Sequence, residues 1–144
     1  TEVLMFDRPI KSIMERDRYL TAPPQTTVSD AARLMAARNA GAVLVVDSES
    51  LVGIFTERDV VFRVIAKDLD PALTPLDRVM TRSPLTLDPS RSYGHALLLM
   101  QENGFRHVPV VENGRPIGIV SSRNAMDPEL EDFVSEQRRR EHHR

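Results

Sequence analysis

The segment Gly53-Ile54-Phe55-Thr56-Glu57-Arg58-Asp59 returns in altered form 65 residues later as Gly118-Ile119-Val120-Ser121-Ser122-Arg123-Asn124. The same shift carries Leu20-Thr21 onto Leu85-Thr86, Pro24 onto Pro89, Ala31 onto Ala96, and Leu34-Met35 onto Leu99-Met100. Val43, Val45 and Val46 land on Val108, Val110 and Val111. About a dozen identities over roughly forty aligned positions, with no gap, exceed what a shared apolar pattern produces, so the chain is a tandem repeat. Units of about sixty residues are each marginal alone. The two repeats are therefore expected to pack on each other and to leave a cleft where they meet.

Each repeat reads as β-α-β-β-α, which makes the fold α+β. In the first, Tyr19-Leu20-Thr21 is a short strand stopped by Pro23-Pro24, since proline gives no N–H to a ladder. Thr27 caps a helix with Ala31, Leu34 and Met35 on its apolar side, and Asn39-Ala40-Gly41 ends it. Ala42 to Val46 is β-branched and apolar throughout, as a strand covered on both faces would be, and Leu51 to Phe55 pairs back on it. Thr56 then opens a helix through Val60, Val61, Val64 and Ile65. The second copy repeats the plan: a strand at Leu85-Thr86-Leu87, a helix from Ser92 to Asn103 with Ala96, Leu99 and Met100 inward, and paired strands at Val108–Val111 and Ile117–Val120. Short apolar helices are expected around Ile10, Ile13 and Met14 and around Leu76, Val79 and Met80. The resulting division is an N-terminal segment 1–18, repeat one 19–66, a linker with short helix 67–80, repeat two 81–126, and a segment 127–144 that reads as one more helix or as a frayed tail.

A net charge of −2 with 28% charged residues offers no general attraction to nucleic acid or anionic lipid. The run Arg138-Arg139-Arg140 is interrupted by Glu136 and Glu141 and reads as a solvated helix end. With no cysteine, no basic-then-apolar leader and only strand-sized apolar runs, the expectation is a cytoplasmic protein without membrane or nucleic-acid partners. The sequence has no nucleophile-elbow motif, no phosphate-loop lysine and no His/Cys/Asp set at metal spacing; no catalytic residue, metal or enzymatic activity is expected. The six methionines fall at helical core positions, Met126 among them, and His95 lies on a polar helix side.

Thr56-x-x-Asp59 has a complete structural explanation as a helix capping box, and a helix start with free N–H groups also welcomes phosphate; both readings stand. Arg106 and His107 precede a buried strand, where charge ordinarily meets solvent.

The ordered set of these features, twice over, with Arg106-His107-Val108-Pro109-Val110-Val111 in the second copy, resembles a tandem pair of CBS domains, the regulatory units named after cystathionine beta-synthase. The resemblance covers Ile10 to Met126. It implies two β-α-β-β-α units packed about a pseudo-two-fold axis, with two clefts that take adenosine ligands. AMP comes first among these, with ADP, ATP, NAD and S-adenosylmethionine as alternatives, and the pair is expected to form a homodimer.

Carried over position by position, the resemblance implies a first cleft of Ile54, Thr56 and Asp59 facing Pro84 and Leu85, with Arg106, His107 and Pro109 nearby and Arg123 toward phosphate. The second cleft would use Ser121 and Asn124 with Tyr19, Leu20, Gly41, Ala42, Leu44 and Arg58. Here Asn124 replaces the carboxylate, and Gly41-Ala42 stands where the first cleft has Arg106-His107. An amide lacks the charge that makes a carboxylate hydrogen bond worth about 1.5–3 kcal/mol, so one strong cleft and one weak or empty cleft are expected. The implied function is a non-enzymatic nucleotide-sensing module. With no effector domain within these 144 residues, its output is expected to pass through an effector protein or through assembly. The alternative is a dimerisation module with degenerate clefts.

Overall fold

A computed structural model describes residues 5–14, 16, 19–125 and 136–141. The first repeat supplies β1 (Leu20–Ala22), α1 (Val28–Arg38), β2 (Ala42–Asp47), β3 (Ser50–Thr56) and α2 (Glu57–Asp59). α2 continues as a π-helix over Val60–Ile65. A short helix α3 (Leu76–Val79) and strand β4 (Thr81–Arg82) lead into α4 (Tyr93–Asn103), β5 (His107–Glu112) and β6 (Arg115–Ser121). The larger sheet has the order β1-β2-β3-β4, and β5-β6 forms the other.

The repeat is visible down to its irregularities. Thr27 and Ser92 each accept a hydrogen bond from the N–H three residues on, at 3.2 Å, and start α1 and α4. Asn39 and Gly104, equivalent by the shift, end those helices in the left-handed conformation. Both hairpins carry a register shift at the same place, Val45/Val46 and Val110/Val111. Their two-residue turns, Ser48-Glu49 and Asn113-Gly114, both have positive φ, as tight hairpins between right-twisted strands require.

Each short apolar helix serves the core of the other repeat. Leu76, Val79 and Met80 are buried with Leu20, Ala22, Val28 and Phe55. Ile10 and Met14 are buried with Tyr93, Ala96 and Val108. Matching backbone bonds fix the exchange: Val28 N donates to Thr74 O and Leu76 N to Thr26 O, while Tyr93 N donates to Arg8 O and Ile10 N to Arg91 O. Between the two cores lies a third cluster, Ala42, Leu44, Ile54 and Ile119, with Tyr19 and Leu51 against it. Ile54 and Ile119 are equivalent residues of β3 and β6, so this seam sits where the repeats face each other.

Four expectations are corrected. Leu85-Thr86-Leu87 is not a strand; only Leu87 bridges to Val110. Pro109 stands where the first repeat has Leu44 and has no N–H to donate, so the parallel ladder of β1 and β2 is not reproduced. β4, unforeseen in the sequence, pairs Thr81 and Arg82 with Ile54 and Gly53 instead. Leu34, on the side of α1 read as apolar, is exposed, and Val61 and Ile65 of the π-helix are exposed too. The segment at Ile10–Ser12 is a single 3-10 turn. After β6 the chain makes a 3-10 turn, Ser122–Ala125, and residues 136–141 are helical. Met126 and the rest of the expected tail helix lie outside the described residues.

Candidate functional site

β3 runs straight into α2, so Thr56 ends a strand and caps a helix at once. Its hydroxyl accepts from Asp59 N at 3.4 Å, and Asp59 Oδ2 accepts from Thr56 N at 2.8 Å and from Thr56 Oγ1 at 3.1 Å. The capping box is therefore complete. It occupies one carboxylate oxygen. The other, Oδ1, lies 3.4 Å from Arg63 Nε, one helical turn on. Arg63 also donates through Nη1 to the carbonyls of Val79 and Met80, tying α2 to the end of α3.

The cleft beside this helix start has a volume of about 910 Å³, within the usual range for a small-molecule site. It brings together Ile54, Thr56 and Asp59 from the first repeat with Pro84, Leu85, Arg106, His107 and Pro109 from beyond the linker. Leu85 is 49% exposed because its segment is not held in a ladder, which leaves it free to face β3 across the cleft.

The π-helix adds Val61 and Phe62 to the wall, and the Arg58 guanidinium lies 4.9 Å from the centre of the Phe62 ring. Single π-turns occur often at functional sites. Arg58, Arg63 and Arg106 face Glu57 and Asp59, a mixed site with a small excess of positive charge.

Phe62, Arg63, Glu57, Ser83 and Phe105 are lining residues that the sequence reading did not name. Arg63 was accessible as the residue four after Asp59 on a helix. The turn that brings Phe62 round was not.

A second hollow of about 700 Å³ opens on the other side. Gly41 and Ser121 line it, together with Arg106, His107, Glu57 and Arg123. The two arginines expected to cross over do not. Arg58 lines the first cleft and Arg123 the hollow, because each follows its own repeat's capping residue on the same helix start. Tyr19, Leu20, Ala42, Leu44 and Asn124 are not brought into the hollow. Leu20, Ala42 and Leu44 are buried, and Asn124 Oδ1 accepts from Ser121 N at 2.7 Å and Ser121 Oγ at 3.2 Å.

His107 separates the two cavities. A Cβ on Gly41 would lie 3.2 Å from its Nε2 and 3.3 Å from Glu57 Oε1, so the small residue at 41 makes room for the ring. Burial pushes the His107 pKa below its ordinary value of 6.5; Glu57 opposes this, and Arg106 and Arg123 add to it. The unfolded chain therefore holds more protons on this residue as the pH falls below about 6.5, and stability is lost in that direction. Urea titrations at pH 7.5 and 5.5 are expected to show a smaller loss for His107→Gln than for the wild type. An equal loss in both would take the effect away from His107.

Among the described residues no three His, Cys, Asp or Glu side chains group as a metal site, and no helix is long and apolar enough to cross a membrane.

Comparison with known proteins gives one consistent answer. The family model for the CBS domain matches twice, at residues 10–66 and 76–128. A CBS domain-containing protein of Arabidopsis thaliana, CBSCBSPB3, is 44% identical over 115 residues, 79% of this chain and 20% of its own length. The chain thus spans about a fifth of that relative.

Among solved structures, an uncharacterized conserved protein from Pyrococcus horikoshii has a TM-score of 0.79 at 30% identity, over 86% of this chain and 93% of that one. The CBS domain pair of protein MJ0100, in complex with 5′-methylthioadenosine and S-adenosyl-L-methionine, has a TM-score of 0.74 at 26% identity, over 81% of this chain and 95% of that one.

Proposed function

This chain belongs to the CBS domain family, and from that premise we propose that it is a non-enzymatic regulatory module holding an adenosine-type ligand in its first cleft. The observation that carries the reading is the meeting of Ile54, Thr56 and Asp59 with Pro84, Leu85, Arg106, His107 and Pro109 around one cavity large enough for a nucleoside monophosphate. Asp59 Oδ1, left over by the cap, is the acceptor for ribose hydroxyls. Ile54, Leu85 and the two prolines are the apolar surface for a base, and the guanidiniums lie within reach of a phosphate. The complex of the MJ0100 pair with two adenosine compounds supports the ligand class.

AMP is the ligand we put first. The cleft's few cations are partly offset by Glu57 and Asp59, which favours a low-charge ligand over a triphosphate. A ligand touching both repeats stabilises whichever packing lets both walls reach it, and couplings of this kind are typically about 1–3 kcal/mol. The output passes to an effector protein or to self-assembly.

Thermal unfolding of nucleotide-free protein against AMP, ADP, ATP, NAD and S-adenosylmethionine tests this. A ligand at a hundred times its Kd adds about 2.7 kcal/mol, roughly 5–10 °C for a chain of this size.

The second reading, a dimerisation module, is favoured by Val61, Phe62 and Ile65, each 56% exposed on one helix. A stable dimer with no shift for any ligand would select it.

A further inference from the structure

The first cleft has an apolar floor of Ile54, Pro84, Leu85 and Pro109. Under the repeat shift these become Ile119, Tyr19, Leu20 and Leu44, and none of the four lines the hollow on the other side. Leu44 and Ile119 belong to the seam between the repeats, as Ile54 does, and Tyr19 lies half-buried against it. Leu20 is drawn into the first core by β1, which pairs in full with β2 where its counterpart at Leu85 does not.

Tyr19 is the substitution with the most volume: a tyrosine in the place of Pro84. Its hydroxyl donates to Pro116 O at 3.3 Å, so the side chain reaches from the start of the first repeat to β6 of the second. The hollow begins at Gly41 and Ser121 and leads toward Arg106 and Arg123, and its apolar wall comes from Ala32, Met35, Ala36 and Val60 of the first repeat. Asn124, the other departure in this half, keeps the same cap geometry as Asp59. It changes charge and leaves the available room as it was.

We propose that Tyr19 closes the second cleft to a nucleobase, so that the chain takes one adenosine-type ligand and not two. The proposal rests on the reading of the first cleft given above. It also separates two causes that the sequence leaves entangled, lost charge at Asn124 and lost space at Tyr19.

The test is isothermal titration of nucleotide-free protein with AMP, with circular dichroism to establish folding. Wild type, Asn124→Asp and Tyr19→Phe, which all keep the ring, are expected to bind one AMP per chain. Tyr19→Ala is expected to bind two, the second more weakly, and Tyr19→Val serves if the alanine variant does not fold. Two sites in the wild type, a second site in Asn124→Asp with Tyr19 in place, or one site in folded Tyr19→Ala and Tyr19→Val would each overturn the proposal. No binding in the wild type with one site in Tyr19→Ala would remove the first-cleft reading and leave the plug standing. No binding in either would remove both.

Discussion

Asp59→Asn is expected to weaken the first-cleft ligand about 10- to 150-fold, the loss of a charged hydrogen bond worth about 1.5–3 kcal/mol, while the free protein stays folded. The second repeat shows why the fold tolerates the change. Asn124 makes the same cap, 2.7 Å from Ser121 N and 3.2 Å from Ser121 Oγ, that Asp59 makes to Thr56. Asp59→Asn therefore keeps the helix start and removes the charge. The ion pair to Arg63 is lost too, but the arginine side chain is 48% exposed, and such pairs are worth about 0–1 kcal/mol. The melting temperature without ligand should move by no more than about 4 °C.

Asp59→Ala is the poorer probe. It removes the carboxylate half of the capping box as well, and so mixes folding with binding. Titration of both variants with the ligand found in the thermal screen decides the matter. Wild-type affinity in Asp59→Asn would mean that the carboxylate is a cap and nothing more.

The features legible in the sequence are those that local chemistry decides. The hydroxyl caps at Thr27, Thr56 and Ser92, the hairpins on either side of Asp47 and Asn113, and the left-handed stops at Asn39 and Gly104 each follow from a few adjacent residues. The shift of 65 then places the two copies in one architecture.

What escaped depends on partners distant in sequence. A short apolar segment such as Ile10 to Met14 carries no mark of which of two similar cores it will enter, and it enters the second. Whether Leu85–Leu87 forms a strand is settled by the missing N–H of Pro109, more than twenty residues on, and its failure opens the first cleft. The exposure of Val61 and Ile65 follows from a π-turn that changes the helix face, which a period of 3.6 does not contain. Eight of the nine residues that the resemblance assigned to the first cleft line one cavity, and Arg123 lines the other. Of the residues assigned to the second cleft, Leu44 lies in the seam and Tyr19 half-buried against it, a property of the packed pair that no local pattern carries.

Gly53→Ala is expected to destabilise the protein by about 1–3 kcal/mol, roughly 3–10 °C in melting temperature, by overpacking at one point. Gly53 opens the repeated segment, and a Cβ there would fall 2.9 Å from Cγ and 3.0 Å from Cε of Met80, with Sδ nearer still. Met80 is 5% exposed and sits in the first core, so its side chain has little room to retreat. The glycine is thus needed because the chain after the linker lies directly on β3.

The physical cause is checked by a double-mutant cycle. Met80→Ala alone costs about 2–5 kcal/mol for its cavity, and on that background Gly53→Ala should cost close to nothing. An undiminished cost would move the cause from Met80 to the backbone of β3.

The contact also reaches the site. β3 ends at Thr56 and Met80 leads into Ser83 and Pro84, so both walls of the first cleft hang from the place where Gly53 and Met80 touch. Gly53→Ala should therefore lower ligand affinity as well as stability, although residue 53 itself does not line the cleft.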